Sequence, residues 1–313
     1  MRTVKEEHIL LASSCPIYER LLAEIKEKKA GTYLFDGQDT LLSLSFAVLL
    51  ACSTSKDRAL YARRFSSGNL PDVLCFGSGG LKVEDAEKIA SAAQSSPLEL
   101  PLKFFIIEFA GANEIAQNKL LKILEDVPKT AMFFLITPSF SDVLPTIRSR
   151  SKTFSVSIPP EKMLEFVKKE SSSLAKCLGQ DNLTLLEGIA SGEMLKSAEG
   201  ALKYLEALGS DDSLLRAVSL LPKTRDGMKE ILSFAEKILG MIVAKLGGAY
   251  VETFAAFNIN ELSEKFTLEA SEKIGKILRN AIRRCADANL TSLSDITTIK
   301  ITEVLKNAKS SGR

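Results

Sequence analysis

The feature that most restricts the fold of this chain is the way its first half switches hydrophobic period. Short runs rich in β-branched, aromatic and other apolar residues (Thr32-Tyr33-Leu34-Phe35, Val73-Leu74-Cys75-Phe76, Phe104-Phe105-Ile106-Ile107, and Met132 to Ile136) read as strands. Between them lie stretches of helical length: Leu41 to Ala51, Val83 to Ser95 and Glu114 to Asp126. In Val83 to Ser95 the residues Ala86, Ile89, Ala90 and Ala93 fall on one stripe, as a helix resting on a sheet requires. A last strand is predicted near Phe154 to Ile158. Strands apolar along both faces must be covered on both sides, and helices between strands imply right-handed crossovers. The spacing therefore predicts an α/β unit with a parallel sheet. Asp36-Gly37, Pro71-Asp72 and Gly77-Ser78-Gly79-Gly80 supply the punctuation.

Pro159-Pro160 closes that unit, and no strand pattern of comparable strength follows. Glu161 to Glu170 and Thr184 to Leu208 read as helices, the second interrupted at Gly192 and Gly200. Gly209-Ser210-Asp211-Asp212 is the next break, with Asp212 and Ser213 placed to cap a helix. Long amphipathic helices are predicted over Met228 to Leu246, Ile259 to Arg284 and Ile299 to Lys309. With 313 residues, more than one domain is expected. The boundaries fall at 1–158, 159–209 and 210–313.

Charge narrows the function. Lys and Arg total 41 against 39 Asp and Glu, a net of +2, which argues against a stand-alone module that grips nucleic acid by bulk charge. The local cluster Lys273, Lys276, Arg279, Arg283 and Arg284 is read as a solvated helix face or a subunit contact, with DNA contact as the alternative. The five cysteines, Cys15, Cys52, Cys75, Cys177 and Cys285, are scattered without a C-x-x-C pair, and the single His8 has no nearby partner in sequence. Buried thiols fit this better than a metal site. Met1-Arg2-Thr3-Val4-Lys5 is too charged to begin a secretory signal, and the most apolar run, Phe46 to Cys52, is too short to span a membrane. The expected location is cytoplasmic.

The most specific stretch lies between Phe104 and Ser151. A strand ends in the acidic Glu108, and a helix carries Asn118-Lys119-Leu120-Leu121-Lys122-Ile123-Leu124-Glu125-Asp126-Val127-Pro128. A strand then ends at Thr137, and Thr146-Ile147-Arg148-Ser149-Arg150-Ser151 follows. Residue by residue, Ala116, Leu120, Leu121 and Leu124 make a docking stripe, Asn113 can cap the helix, and Pro128 stops it. These elements in this order resemble the clamp-loader subunits of the AAA+ class, strongly in the first half of the chain and loosely over Asn289 to Leu305. The resemblance implies a degenerate P-loop-type AAA+ α/β domain with a parallel sheet, a small helical lid and an all-α collar for oligomerisation. It also implies a role in loading the sliding clamp of DNA polymerase III onto primed DNA, with gamma/tau-type and delta subunits as partners.

The chain departs from that pattern where ATP chemistry needs it most. A working P-loop requires G-x-x-x-x-G-K-[ST]. Phe35-Asp36-Gly37-Gln38-Asp39-Thr40-Leu41-Leu42-Ser43 keeps only Gly37, and no Lys or Arg occurs between Lys29 and Lys56. Asp36 and Asp39 would repel phosphate. The acidic strand end reads Glu108-Phe109, so a metal contact could survive at Glu108 but not the residue that orients water. Thr137 corresponds to a fossil of a γ-phosphate sensor. The zinc module of many relatives is missing too, since only Cys52 and Cys75 flank its interval. The expectation is a subunit that hydrolyses no ATP and binds no zinc, with ATP held by its partners. Arg150 remains: within the resemblance it reaches a neighbouring subunit's nucleotide, while on the residues alone Arg148 and Arg150 could simply solvate a loop or pair with local carboxylates. A gamma-type ATPase is the enzymatic alternative.

Overall fold

The computed structural model describes residues 4–28, 30–167, 178–179, 182–208, 213–248 and 259–311. They form two compact units. The first takes the chain to Phe166 and includes a short return ending at Thr184, and the second holds the helices from Leu185 onward.

The first unit opens with α1 (Glu6–Ala12) and α2 (Tyr18–Lys28). It continues through β1 (Gly31–Asp36), α3 (Thr40–Cys52), α4 (Arg58–Ser66), β2 (Val73–Phe76), α5 (Val83–Ala93), β3 (Lys103–Glu108), α6 (Glu114–Glu125) and β4 (Ala131–Thr137). After a 3-10 turn come α7 (Pro145–Arg148), β5 (Lys152–Ser155) and α8 (Pro160–Val167). The strands pair in the order β2-β3-β4-β1-β5, every pair parallel. The central strands β1, β3 and β4 are buried on both faces, as their continuous apolar runs require, while the edge strands β2 and β5 are half-buried and largely exposed respectively. On one face Phe35, Phe104 and Phe134 pack with centroids 5.4 and 5.7 Å apart, and Phe46 of α3 meets Phe35 edge-on at 5.5 Å. On the other, Phe105 stacks on Phe133 at 5.0 Å beneath Ala86 and Ile89 of α5 and Ala116 and Leu120 of α6. Each of these phenylalanines is fully buried, contributing roughly 1.5–3 kcal/mol apiece. Helix α3 is buried along every residue, so it is apolar all round rather than striped.

Local chemistry sets the helix ends. Asn113 Oδ1 accepts from the Ala116 amide at 2.7 Å, as its position before α6 predicts, and Asp57 caps α4 in the same way. The buried stripe of α6 is Ala116, Leu120, Ile123 and Leu124. Leu121, expected in it, is only half-buried, because the helical period favours Ile123. The last strand lies at Lys152–Ser155, earlier than its most apolar residues suggest, since pairing with Tyr33–Asp36 fixes its register. Helices α1, α2 and α4 were not anticipated, although in α2 Tyr18, Leu21, Leu22 and Ile25 fall at helical spacing and are all buried.

The second unit contains α9 (Leu183–Ala190, from Leu185), α10 (Leu195–Ala207), α11 (Ser213–Leu220), α12 (Arg225–Leu246), α13 (Ile259–Glu264), α14 (Leu268–Arg284) and α15 (Leu290–Ser311). Helix α12 packs between α10 and α14, and α15 lies on α14 and α11. The break expected at Gly192 occurs, with φ +85°, but Gly200 stays inside α10. There a Cβ would come within 2.9 Å of Ile231 Cδ1, so this glycine serves close helix packing instead of termination. The long helix expected over Ile259 to Arg284 is two, because Thr267 Oγ1 accepts from the Ala270 amide and starts a new one. Helix α15 begins nine residues before the expected Ile299. The proposed cap at Asp212 lies outside the described residues, as do residues 168–170 of the helix expected after Pro160. Among the described residues no helix is long and apolar enough to cross a membrane.

One buried carboxylate organises the edge of the sheet. Asp72 has no exposed surface, and its side chain accepts from the amides of Leu98 at 2.8 Å, Glu99 at 2.6 Å and Leu100 at 2.9 Å. Its carbonyl accepts from the Phe104 amide at 2.7 Å, so one residue fixes both the turn before β3 and the start of the β2–β3 pairing. Asp72→Ala should lower the unfolding free energy by roughly 2–4 kcal/mol, since charged-acceptor bonds are lost and a buried amide is left unpaired. Urea denaturation of the full chain measures this, and a loss below about 0.5 kcal/mol would contradict it.

Candidate functional site

In open parallel sheets ligands bind beyond the carboxyl ends of the strands. Here Asp36 pairs with Thr137, and Glu108 with Ile136, so the ends of β1, β3 and β4 reach one edge together. The Gly37 amide donates to the Thr137 carbonyl at 3.1 Å, and the Phe109 amide to Ile136 at 2.8 Å. The structure thus brings together Gly37, Glu108 and Thr137. It also shows what each can do. Phe109 is buried in the core and offers no polar group. Glu108 is half-buried, and its carbonyl comes so close to Gly77 that a Cβ there would stand 2.2 Å away, at φ +84°. The Thr137 hydroxyl is turned onto its own chain, donating to the Ser139 carbonyl at 2.6 Å and accepting from the Ser139 amide at 3.2 Å. Burial pushes the Asp36 carboxyl above its ordinary value. No Lys or Arg stands in the loop to balance a phosphate.

The loop after β1 has an occupant of its own. Asp39 caps α3, with Oδ1 accepting from the Leu42 amide at 3.1 Å. The same carboxylate accepts the Thr184 amide at 3.1 Å, the Thr184 hydroxyl at 2.7 Å and the Leu183 amide. The Thr184 hydroxyl in turn accepts from the Leu41 amide at 3.0 Å. Ser43 Oγ, fully buried and without a hydrogen-bond partner, lies against Gly37. Sequence reasoning had Asp39 only as a charge hostile to phosphate. The missed signal was its position directly before an apolar helix, the place of an N-cap. The partners Leu183 and Thr184 carry no sequence signal that marks them.

Arg150 is not part of this edge. It follows α7, whose preceding turn is fixed by Gln117: Nε2 donates to the Asp142 carbonyl at 2.7 Å and Oε1 accepts from the Leu144 amide at 2.9 Å. Two residues later Lys152 pairs with Tyr33 in β5, near the start of β1. At about 3.3 Å per strand residue, Arg150 stands on the order of 15 Å from the Gly37 loop, toward the opposite edge of the sheet. Its guanidinium donates to Glu125 Oε1 at 2.5 Å and to the Thr146 carbonyl at 2.8 Å, with about a third of the side chain exposed. The local-pairing alternative therefore has a named partner, although an exposed pair of this kind holds weakly. Arg148 is half-buried, its Nε without a partner.

The basic cluster of α14 is partly neutralised within its own unit: Lys273 pairs with Glu269 at 2.7 Å and Arg279 with Glu236 at 2.8 Å. Burial pushes the thiols of Cys15, Cys52 and Cys75 up to about 12, helped by the charge of Asp39 beside Cys15 and of Glu108 beside Cys75. Metal ligation uses the thiolate, the form this burial disfavours. A raised folded-state value means that these thiols add stability below the unfolded value, near 9, and lose it as pH climbs toward 12. The denaturation midpoint should fall over that window, less steeply in Cys52→Ala. Identical slopes for the two proteins would contradict this.

Residues 16–160 match the family model described as DNA polymerase III, delta subunit. The DNA polymerase III subunit delta' of Bacillus subtilis is 33% identical over 145 residues, covering 41% of this chain and 42% of that protein. The chain thus spans about two-fifths of the length of the curated relative it matches. Over 92% of its length it superposes on 99% of a DNA polymerase III gamma subunit-related protein from Thermotoga maritima, with a TM-score of 0.50 and 18% identity. The chain shares its fold with that gamma subunit-related protein, and residues 16–160 are similar in sequence to delta-type subunits of DNA polymerase III.

Proposed function

We propose that the chain works as a non-hydrolysing, delta-prime-type subunit of a DNA polymerase III clamp loader. Its partners would be gamma/tau-type and delta subunits, and through the assembled ring the sliding clamp and primed DNA. This places it in the cytoplasm, without zinc or nucleotide of its own. The sequence match of residues 16–160 supports the family assignment. The separation of the two halves of the ATP chemistry carries the mechanistic reading. The strand-end edge has lost its phosphate-binding charge, while Arg150 stands toward the far edge, beyond reach of its own loop. Any phosphate that Arg150 serves must therefore belong to another subunit. A guanidinium is always charged and offers a planar fork of donors, which suits the charge that develops on a transferring phosphoryl group. To reach it, Arg150 would exchange the exposed Glu125 carboxylate, the Thr146 carbonyl and the Ser149 hydroxyl for a stronger anion.

The isolated chain should show no saturable ATP binding by calorimetry at micromolar concentrations and no turnover. A micromolar dissociation constant would replace this reading with the gamma-type ATPase.

Arg150→Ala should leave the stability of the chain within about 1 kcal/mol, since the lost contacts are exposed. It should also leave assembly with the other subunits intact. The neighbouring ATP site should lose roughly 10³–10⁵ in rate, about 4–7 kcal/mol of barrier. Other sites in the ring keep their own arginines, so total ATPase falls partially and clamp loading falls further. Arg150→Lys should rescue little, and Arg148→Ala should be milder. Clamp- and DNA-stimulated ATPase of the reconstituted complex measures each variant. Equal rates for wild type and Arg150→Ala would reduce the subunit to a scaffold.

A further inference from the structure

We propose that the Asp39 side chain is an internal hydrogen-bond acceptor for the degenerate loop, and that it turns the former phosphate cradle into a fixed joint between residues 39–42 and the return at Leu183–Thr184. This deepens the reading above, because it rests on the chain not using nucleotide and says what occupies the site instead. Amides in the first turn of a helix have no intrahelical partner and attract anions. In α3 the Leu42 amide is taken by the Asp39 carboxylate and the Leu41 amide by the Thr184 hydroxyl. The carboxylate also receives the Leu183 and Thr184 amides and the Thr184 hydroxyl. Two chain segments roughly 140 residues apart thus converge on one negative charge. Leu183 and Thr184 belong to the same compact unit as the loop, so the joint is internal to it. An ordinary N-cap would satisfy only its own helix. Asp39 closes a ring of bonds that a phosphate could enter only by displacing both the carboxylate and the Thr184 hydroxyl. The absence of a lysine is then one of two barriers to nucleotide, the second being that its place is filled.

Hydrogen exchange on the full chain tests this. In Asp39→Ala, exchange at Leu41, Leu42, Leu183 and Thr184 should rise together by about five- to tenfold, while the β3 amides of Phe104–Ile107 keep their wild-type rates. Thr184→Val removes only the hydroxyl and keeps the test open should Asp39→Ala fail to fold. It should speed exchange at Leu41 and Leu42 several-fold. Faster exchange confined to Leu41 and Leu42 in Asp39→Ala, or wild-type exchange at Leu41 in Thr184→Val, would overturn the joint and leave an ordinary cap. Mg-ATP added to the wild type should change none of these rates. Protection of Leu41 and Leu42 by ATP would instead sink the nucleotide-free reading itself, so the two failures are distinguishable.

Discussion

The parallel sheet of the first unit is apolar on both faces, and the rest of that unit follows from the need to cover it. Phe35, Phe104 and Phe134 demand a partner on one side, and Phe105 and Phe133 on the other. Helix α3 answers the first demand and is itself so apolar that α1 and α4 must cover it in turn. Helices α5 and α6 answer the second. With both faces sealed, only the strand ends remain for chemistry. The sheet therefore decides where a site can be before any side chain decides what it does.

The strand-end edge shows how a helix start behind a sheet can be satisfied from within the chain. The backbone still delivers β1, β3 and β4 to one level and still starts a helix directly behind the loop. That helix start carries partial positive charge whether or not a nucleotide is bound. Amides left without an acceptor at the start of a buried helix are costly. The Asp39 carboxylate and the Thr184 hydroxyl meet that need. Thr137 shows the same economy, its hydroxyl closed onto Ser139 within its own turn. Ser43 is the exception, a buried hydroxyl with no partner next to Gly37, and nothing else in the structure accounts for it.

Much of this was legible in the sequence, for reasons that differ by element. Strands β2, β3 and β4 are nearly continuous apolar runs, so their existence could be read directly, as could the burial of β3 and β4, the Asn113 cap and the parallel connections, whereas β2 lies at the sheet edge and is only half-buried. Helices α1 and α4 could not, because helices this short take their stability from packing more than from their own pattern, whereas α2 was missed despite the buried stripe of Tyr18, Leu21, Leu22 and Ile25. Gly200 misled because a glycine that permits close approach to Ile231 looks the same in sequence as one that ends a helix. In the site, Gly37, Glu108 and Thr137 were singled out by the motif resemblance, and the parallel register brings their strand ends to one level. The bonds from Leu183 and Thr184 to Asp39 join residues distant in the chain, and no periodicity encodes them. Glu125 as the partner of Arg150 was hidden in a different way: it lay within the quoted helix motif, but its proximity depends on how α7 returns across the end of α6.

That return bears on how Arg150 is positioned. Gln117, buried on α6, holds both the Asp142 carbonyl and the Leu144 amide, which sets where α7 begins. The Arg148 amide then bonds back to Leu144, and the Arg150 amide to Ile147, itself fully buried. The backbone that carries the guanidinium is thus fixed from the core outward, while its head group is held by exposed groups: the Glu125 carboxylate, the Thr146 carbonyl and, at 3.4 Å, the Ser149 hydroxyl. Rigid placement of the backbone with a loosely held charge is what a residue acting on another molecule requires. The first limits the ordering entropy lost on contact, and the second keeps the charge available.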